Sequence, residues 1–190
     1  MATEPQGLVL VAGRPGSGKS TLVAALVDLV NRQRAEYIIT LERQVRLVHT
    51  NHAAIVSQRE IRGGAEEALT AARAALREDP DVLVVDDVAS GPMVPLLLQA
   101  AAEGLVFVSI AAPSTIDAVE RFVDLAPAEM RAGVQAAMAD TFRGAVAQVL
   151  LKKSGGGRVA AREVLLATAA VTRVISDGTS GQLQVALESG

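Results

Sequence analysis

Eight consecutive residues, Gly13-Arg14-Pro15-Gly16-Ser17-Gly18-Lys19-Ser20, have the types and spacing of a phosphate cradle, G-x-x-x-x-G-K-[ST]. The three glycines let successive backbone N–H groups turn inward toward phosphate oxygens. A helix beginning near Lys19 would add partial positive charge at the same point. Lys19 is expected to reach the β and γ phosphates of a nucleoside triphosphate. Ser20 is expected to offer its hydroxyl to Mg²⁺, with Thr21 assisting. The binding set read from the sequence is Gly13, Arg14, Pro15, Gly16, Ser17, Gly18, Lys19, Ser20 and Thr21, and the expected ligand is ATP with Mg²⁺.

Such a loop works only between a strand and a helix. Gly7-Leu8-Val9-Leu10-Val11-Ala12 is a short apolar run that reads as a buried strand. Residues 21–31 follow as a helix, with Leu22, Ala25, Leu26, Leu29 and Val30 assigned to its apolar face. Further on, Val82-Leu83-Val84-Val85-Asp86-Asp87 sets two carboxylates after four apolar residues. A carboxylate at the C-terminal edge of a parallel strand lies beside a phosphate loop, so Asp86 and Asp87 are expected on the Mg²⁺ side.

The other elements alternate. Strands are expected at 36–41, 54–57, 105–110 and 145–151, with 45–49 extended in the same style. Helices are expected at 66–77, 92–102, 115–124 and 128–141. Residues 158–166 should return on 145–151 as a hairpin through the turn Lys152-Lys153-Ser154-Gly155-Gly156-Gly157. Short helices at 169–175 and 182–187 complete the pattern, and residues 1–6 read as a loose, flexible end. Alternating strands and helices predict an α/β fold, a mostly parallel sheet covered on both faces.

The bulk composition narrows the function. The chain of 190 residues suits one domain, and half of its residues are hydrophobic, enough for a full core. A net charge of −3 provides no basic field for nucleic acid or anionic membrane, and 2% aromatics leaves no stacking platform for bases. The absence of cysteine removes disulfides and thiolate metal sites. With no membrane-length apolar run and no signal-peptide layout, a soluble cytoplasmic protein without direct membrane insertion is expected.

Several stretches together resemble the motor domains of the pilus-retraction branch of the type II/IV secretion ATPase family. They are Gly7 to Ser20, Ile38-Ile39-Thr40-Leu41-Glu42, Gln58-Arg59-Glu60 and Leu76-Arg77-Glu78-Asp79-Pro80-Asp81. To these are added Arg121-Phe122-Val123-Asp124 and Lys152-Lys153-x-Gly155-Gly156-Gly157-Arg158-Val159-Ala160-Ala161. The resemblance runs from Gly7 to about Leu187. It implies a RecA-like P-loop domain over 7–190, working with copies of itself or related ATPase subunits in a hexameric ring. Such rings use ATP to disassemble pili through a platform protein of the inner membrane, where the chain would sit peripherally. Because the resemblance begins at Gly7, the family's N-terminal domain is expected to be absent.

The departures from the family pattern concern catalysis. The resemblance places a water-orienting glutamate where this chain has Arg46, and a histidine where it has Ala111. A guanidinium cannot act as a general base. Glu42 is then the remaining acid for that role, and Asp87 takes the place of the family's strand-end glutamate, so Glu42 and Asp87 are the catalytic candidates. His49 matches a family position beyond the acidic stretch. Two other readings stay open: a nucleotide-binding paralogue that does not hydrolyse ATP, and a small-molecule phosphotransferase with Arg43, Arg46, Arg59 and Arg62 in a lid.

Overall fold

The structure, a computed structural model, describes residues 1–86 and 91–178. Strands β1 (Gly7–Ala12), β2 (Tyr37–Glu42), β3 (Ile55–Glu60), β4 (Val82–Asp86), β5 (Leu105–Ile110), β6 (Phe142–Lys152) and β7 (Arg158–Leu166) form one sheet in the order β3-β2-β4-β5-β1-β6-β7. Every neighbouring pair is parallel except β6 and β7, which form the antiparallel hairpin. The central strands β1 and β5 are buried along their whole length, as continuous apolar runs require when both faces are covered.

Alternation along the strands divides the core. Leu8, Leu10, Leu83, Val85, Val106 and Val108 face α2 (Ala65–Leu76), α3 (Met93–Glu103), α4 (Thr115–Asp124), α5 (Arg131–Thr141) and α6 (Ala169–Asp177). Val9, Val11, Val84 and Phe107 face α1 (Lys19–Gln33). The expected helix over 128–141 begins instead as a 3-10 turn at Ala128–Met130 before α5. The segment 182–187, expected as a helix, lies outside the described residues.

The inward face of α1 is turned from the one expected. Val23, Val27, Val30 and Asn31 are buried, Leu22 and Leu26 are partly buried, and Ala25 and Leu29 are exposed. The loop before α1 sets this rotation, because Lys19 must enter the helix over the strand ends. Positions 19, 23, 27 and 31 then form one stripe at four-residue spacing. Asn31 is the cost of that register, and each of its side-chain polar atoms has a partner. Its Nδ2 donates to Thr50 O at 2.8 Å, and its Oδ1 accepts from His52 N at 3.0 Å. Its carbonyl accepts from Ala53 N and Ala54 N.

These bonds explain why 45–49 is not a strand. The link between β2 and β3 is held by side chains in place of a sheet ladder. Val45 N donates to Glu60 Oε2 at 3.2 Å, and His49 N to Gln58 Oε1 at 2.8 Å. Asn31→Leu should therefore cost about 1–3 kcal/mol, from the buried peptide groups left without partners. Denaturant unfolding of the two proteins would measure it.

Residues 1–6, expected as a loose end, are tied to the body. Ala2 is buried and Met1 packs against the same cluster as Phe107. Glu4 O accepts from Arg34 Nη1 at 2.7 Å, and Gln6 O from Arg143 Nε at 3.1 Å. The apolar pair Met1-Ala2 covers sheet surface that α1 leaves open on its own face.

Candidate functional site

Parallel strands end on one edge of the sheet, and the buried polar side chains near that edge mark the site. Thr40, Ser109 and Gln148 each interrupt an apolar strand and are almost wholly buried. A cavity of about 440 Å³ opens there, between α1 and the strand ends. Its lining includes Lys19, Ser20, Glu42, Arg46, His49 and Asp86.

The glycine loop follows β1 directly. Gly18 stands before the first turn of α1 at φ 85°, in the left-handed region, and a Cβ there would lie 2.7 Å from Gln148 Nε2. Only glycine meets both demands without strain. Gly16 has φ +78° with open space where a side chain would be. The start of α1 has no side-chain cap and no acidic residue in its first turn. By contrast, Ser114 caps α4 and Thr168 caps α6. The first N–H groups of α1 are thus left to an anion.

Of the expected binding set, Gly16, Gly18, Lys19, Ser20 and Thr21 line the cavity. Gly13, Arg14, Pro15 and Ser17 build the loop behind them. Gly13 O accepts from Lys19 Nζ at 2.8 Å, and Arg14 O from Ser17 N at 3.1 Å. This occupies one of the three ammonium donors of Lys19 and leaves two. Ser17 Oγ is buried without a hydrogen-bond partner among the described residues. An orphan hydroxyl, open glycine positions and uncapped helix N–H groups are the donor set that a phosphate chain satisfies, so the residues present fit the nucleotide.

Gln148, which the sequence reading passed over, holds the loop from below. Its Nε2 donates to Ser17 O at 2.8 Å, and its Oε1 accepts from Arg162 Nε at 2.8 Å. A lone glutamine within Ala145-Val146-Ala147-Gln148-Val149-Leu150 was the available signal. Thr40 and Ser109 were likewise missed. Thr40 Oγ1 donates to Glu42 Oε1 at 2.7 Å, and Ser109 Oγ to Asp86 Oδ1 at 2.5 Å. Gln58 Nε2 also donates to Glu42 Oε1, at 3.0 Å, so one oxygen of Glu42 is held by two donors. Its Oε2 has no hydrogen bond among the described residues and remains an acceptor.

Asp86 stands at the end of β4 in the cavity wall, whereas Asp87 lies outside the described residues. Among the described residues no group of three or more His, Cys, Asp or Glu is arranged to hold a metal on its own. A divalent ion would need oxygens from the nucleotide besides Ser20 and Asp86.

The arginine lid does not assemble. Arg59 pairs with Glu78 at 2.5 Å, and that hydrogen bond, with a second from Tyr37, holds the Glu78 carboxyl below its ordinary pKa. Arg62 pairs with Glu60 at 2.9 Å and lowers that carboxyl in the same way. Arg46 is the member of the four that lines the cavity. Ala111 is absent from the cavity lining, just beyond the end of β5.

A family model described as "Type II/IV secretion system protein" matches residues 1–186. The chain belongs to this family. Within the type II/IV secretion family it is 38% identical over 187 residues to the type IV pilus retraction ATPase PilT of Pseudomonas aeruginosa, covering 98% of this chain and 54% of that protein. It is 35% identical to a twitching motility protein of Neisseria gonorrhoeae, covering 100% of this chain and 51% of that protein.

A solved structure of the pilus retraction motor PilT with bound ADP superposes with a TM-score of 0.91 at 35% identity, over 99% of this chain and 55% of that one. The Legionella pneumophila ATPase DotB superposes with a TM-score of 0.87 at 25% identity, over 99% of this chain and 53% of that one. The RecA-like α/β fold expected from the sequence is thus the fold of this family. The chain spans about half the length of the relatives it matches. No helix among the described residues is long and apolar enough to cross a membrane.

Proposed function

We propose that this chain is an ATP-binding motor domain of the pilus-retraction type, in which occupancy of the glycine-loop cavity drives a ring of ATPase subunits. The observation that carries the reading is the convergence of Lys19, Ser20, Glu42 and Asp86 on one cavity, in a chain 38% identical to PilT. Lys19 and the first N–H groups of α1 bind the phosphates. The Ser20 hydroxyl, with Asp86 and Asp87, would hold Mg²⁺. Bound there, that ion neutralises phosphate charge. Glu42, fixed through Oε1 by Thr40 and Gln58, presents Oε2 to orient a water. The partners are copies of the chain or related ATPase subunits, and a platform protein of the inner membrane. The place of work is the cytoplasmic side of that membrane.

A second reading, a paralogue that binds ATP without splitting it, is favoured by one observation. Arg46 lies in the cavity where the resemblance implies a glutamate. Binding alone can drive a conformational change when the ligand prefers one state. Steady-state phosphate release from Mg-ATP, across a range of protein concentrations, separates the two. Turnover that depends on Lys19 and rises more than proportionally with protein supports the motor. Turnover no greater than that of Lys19→Ala, with ATP bound, supports the paralogue.

A further inference from the structure

We propose that Arg46 is an in-chain cation for the terminal phosphate of a bound nucleoside triphosphate, so that the cavity tells triphosphate from diphosphate through this side chain. The proposal rests on the nucleotide-binding reading above and adds the group that sets its selectivity.

Arg46 lines the same cavity as Lys19, Ser20 and Asp86. Its guanidinium is barely engaged. One contact, Nε to Gln44 Oε1, is long at 3.4 Å, and among the described residues Arg46 has no carboxylate partner. Arg59 and Arg62, on the same side of the sequence, are both paired. The terminal nitrogens of Arg46 are therefore left with the planar fork that matches two phosphate oxygens.

The backbone beside Arg46 is anchored on both sides. Val45 N donates to Glu60 Oε2 at 3.2 Å, and Leu47 O accepts from Gln58 Nε2 at 2.9 Å. The same Gln58 amide nitrogen holds Glu42. A cation presented from a tethered backbone loses less freedom on binding than one on a loose loop.

Charge balance in the cavity points the same way. Glu42 and Asp86 contribute two carboxylates to the lining, and Lys19 and Arg46 two cations. Without Arg46, a single lysine would face both acids and an incoming polyphosphate. The γ-phosphate is the part of ATP that ADP lacks, and a guanidinium cannot lose its charge at any physiological pH. Arg46 thus trades the ability to activate water for the ability to hold the terminal phosphate.

The test is the affinity of the 190-residue chain for a non-hydrolysable ATP analogue and for ADP, each with Mg²⁺, in the wild type, Arg46→Ala and Arg46→Lys. Loss of one charge-assisted pair should weaken the ATP analogue about 10- to 100-fold in Arg46→Ala, with ADP changed by less than about twofold and lysine restoring part of the loss. Arg46 is exposed, so melting without nucleotide should be unchanged and the variants folded. Equal losses for both nucleotides, or no loss for either, would overturn the proposal while leaving nucleotide binding intact. A wild type that binds neither nucleotide would overturn this proposal and the reading it rests on together.

Discussion

Mg-ATP should raise the melting temperature of the wild type by about 5–10 °C at a hundred times the dissociation constant, and should not raise that of Lys19→Ala. The size follows from linkage: saturation to that level adds about 2.7 kcal/mol. For a domain of this length each kcal/mol moves the midpoint by about 2–4 °C. Lys19 is chosen because its place in the fold is slight. Its ammonium makes one hydrogen bond, to the carbonyl of Gly13 at the start of the loop, and its side chain lines the cavity. Removing that bond costs about 1 kcal/mol or less, so the variant without ligand should melt within a few degrees of the wild type. Equal rises in the two proteins would take Lys19 out of the site.

The second large effect is on stability. Phe107 sits in the middle of β5, itself near the middle of the sheet, and has no exposed surface. Its register partners are Val84 on β4 and Val9 on β1, and its ring belongs to the cluster beneath α1. Ladder hydrogen bonds on both sides hold the strands apart, so the structure cannot close over the gap that Phe107→Ala leaves. The transfer and cavity terms together should cost about 3–5 kcal/mol. The melting midpoint should fall by about 6–20 °C. A loss below about 1 kcal/mol would mean that α1 settles into the gap, which the anchored loop before it argues against.

How far the sequence could be read depended on what set each element. Strands β5 and β7 and helix α4 begin and end where the pattern placed them. A mostly apolar run between turn signals, or a strongly two-sided helix opened by a Ser114 cap, leaves the chain little choice. The rotation of α1 was hidden because apolar residues lie around much of the helix. The glycine loop decided which of them turn inward, and it put Asn31 among them. The segment 45–49 looked extended because its side chains alternate, but the partners of its backbone are Gln58 and Glu60, which no local pattern connects to it.

The site divided along the same line. Lys19, Ser20, Glu42 and Asp86 were named from motif and resemblance, and the structure places all four in the lining of one cavity. The supports were missed because each is a single polar residue in an apolar strand. Thr40, Ser109 and Gln148 are informative only after the topology brings the strand ends together. The arginine cluster was the opposite case. Four residues close in sequence suggested one surface, but the strand direction of β3 and the carboxylates beside it send Arg59 and Arg62 to other partners.

The most direct test of the central claim is a calorimetric titration of ATP, with Mg²⁺ present, into the 190-residue chain. Saturable binding of one nucleotide per chain, lost in Lys19→Ala, is the result this structure predicts. No saturable heat with the wild type, or equal binding by the variant, would contradict it and leave the cavity at the end of β1 without the role assigned to it.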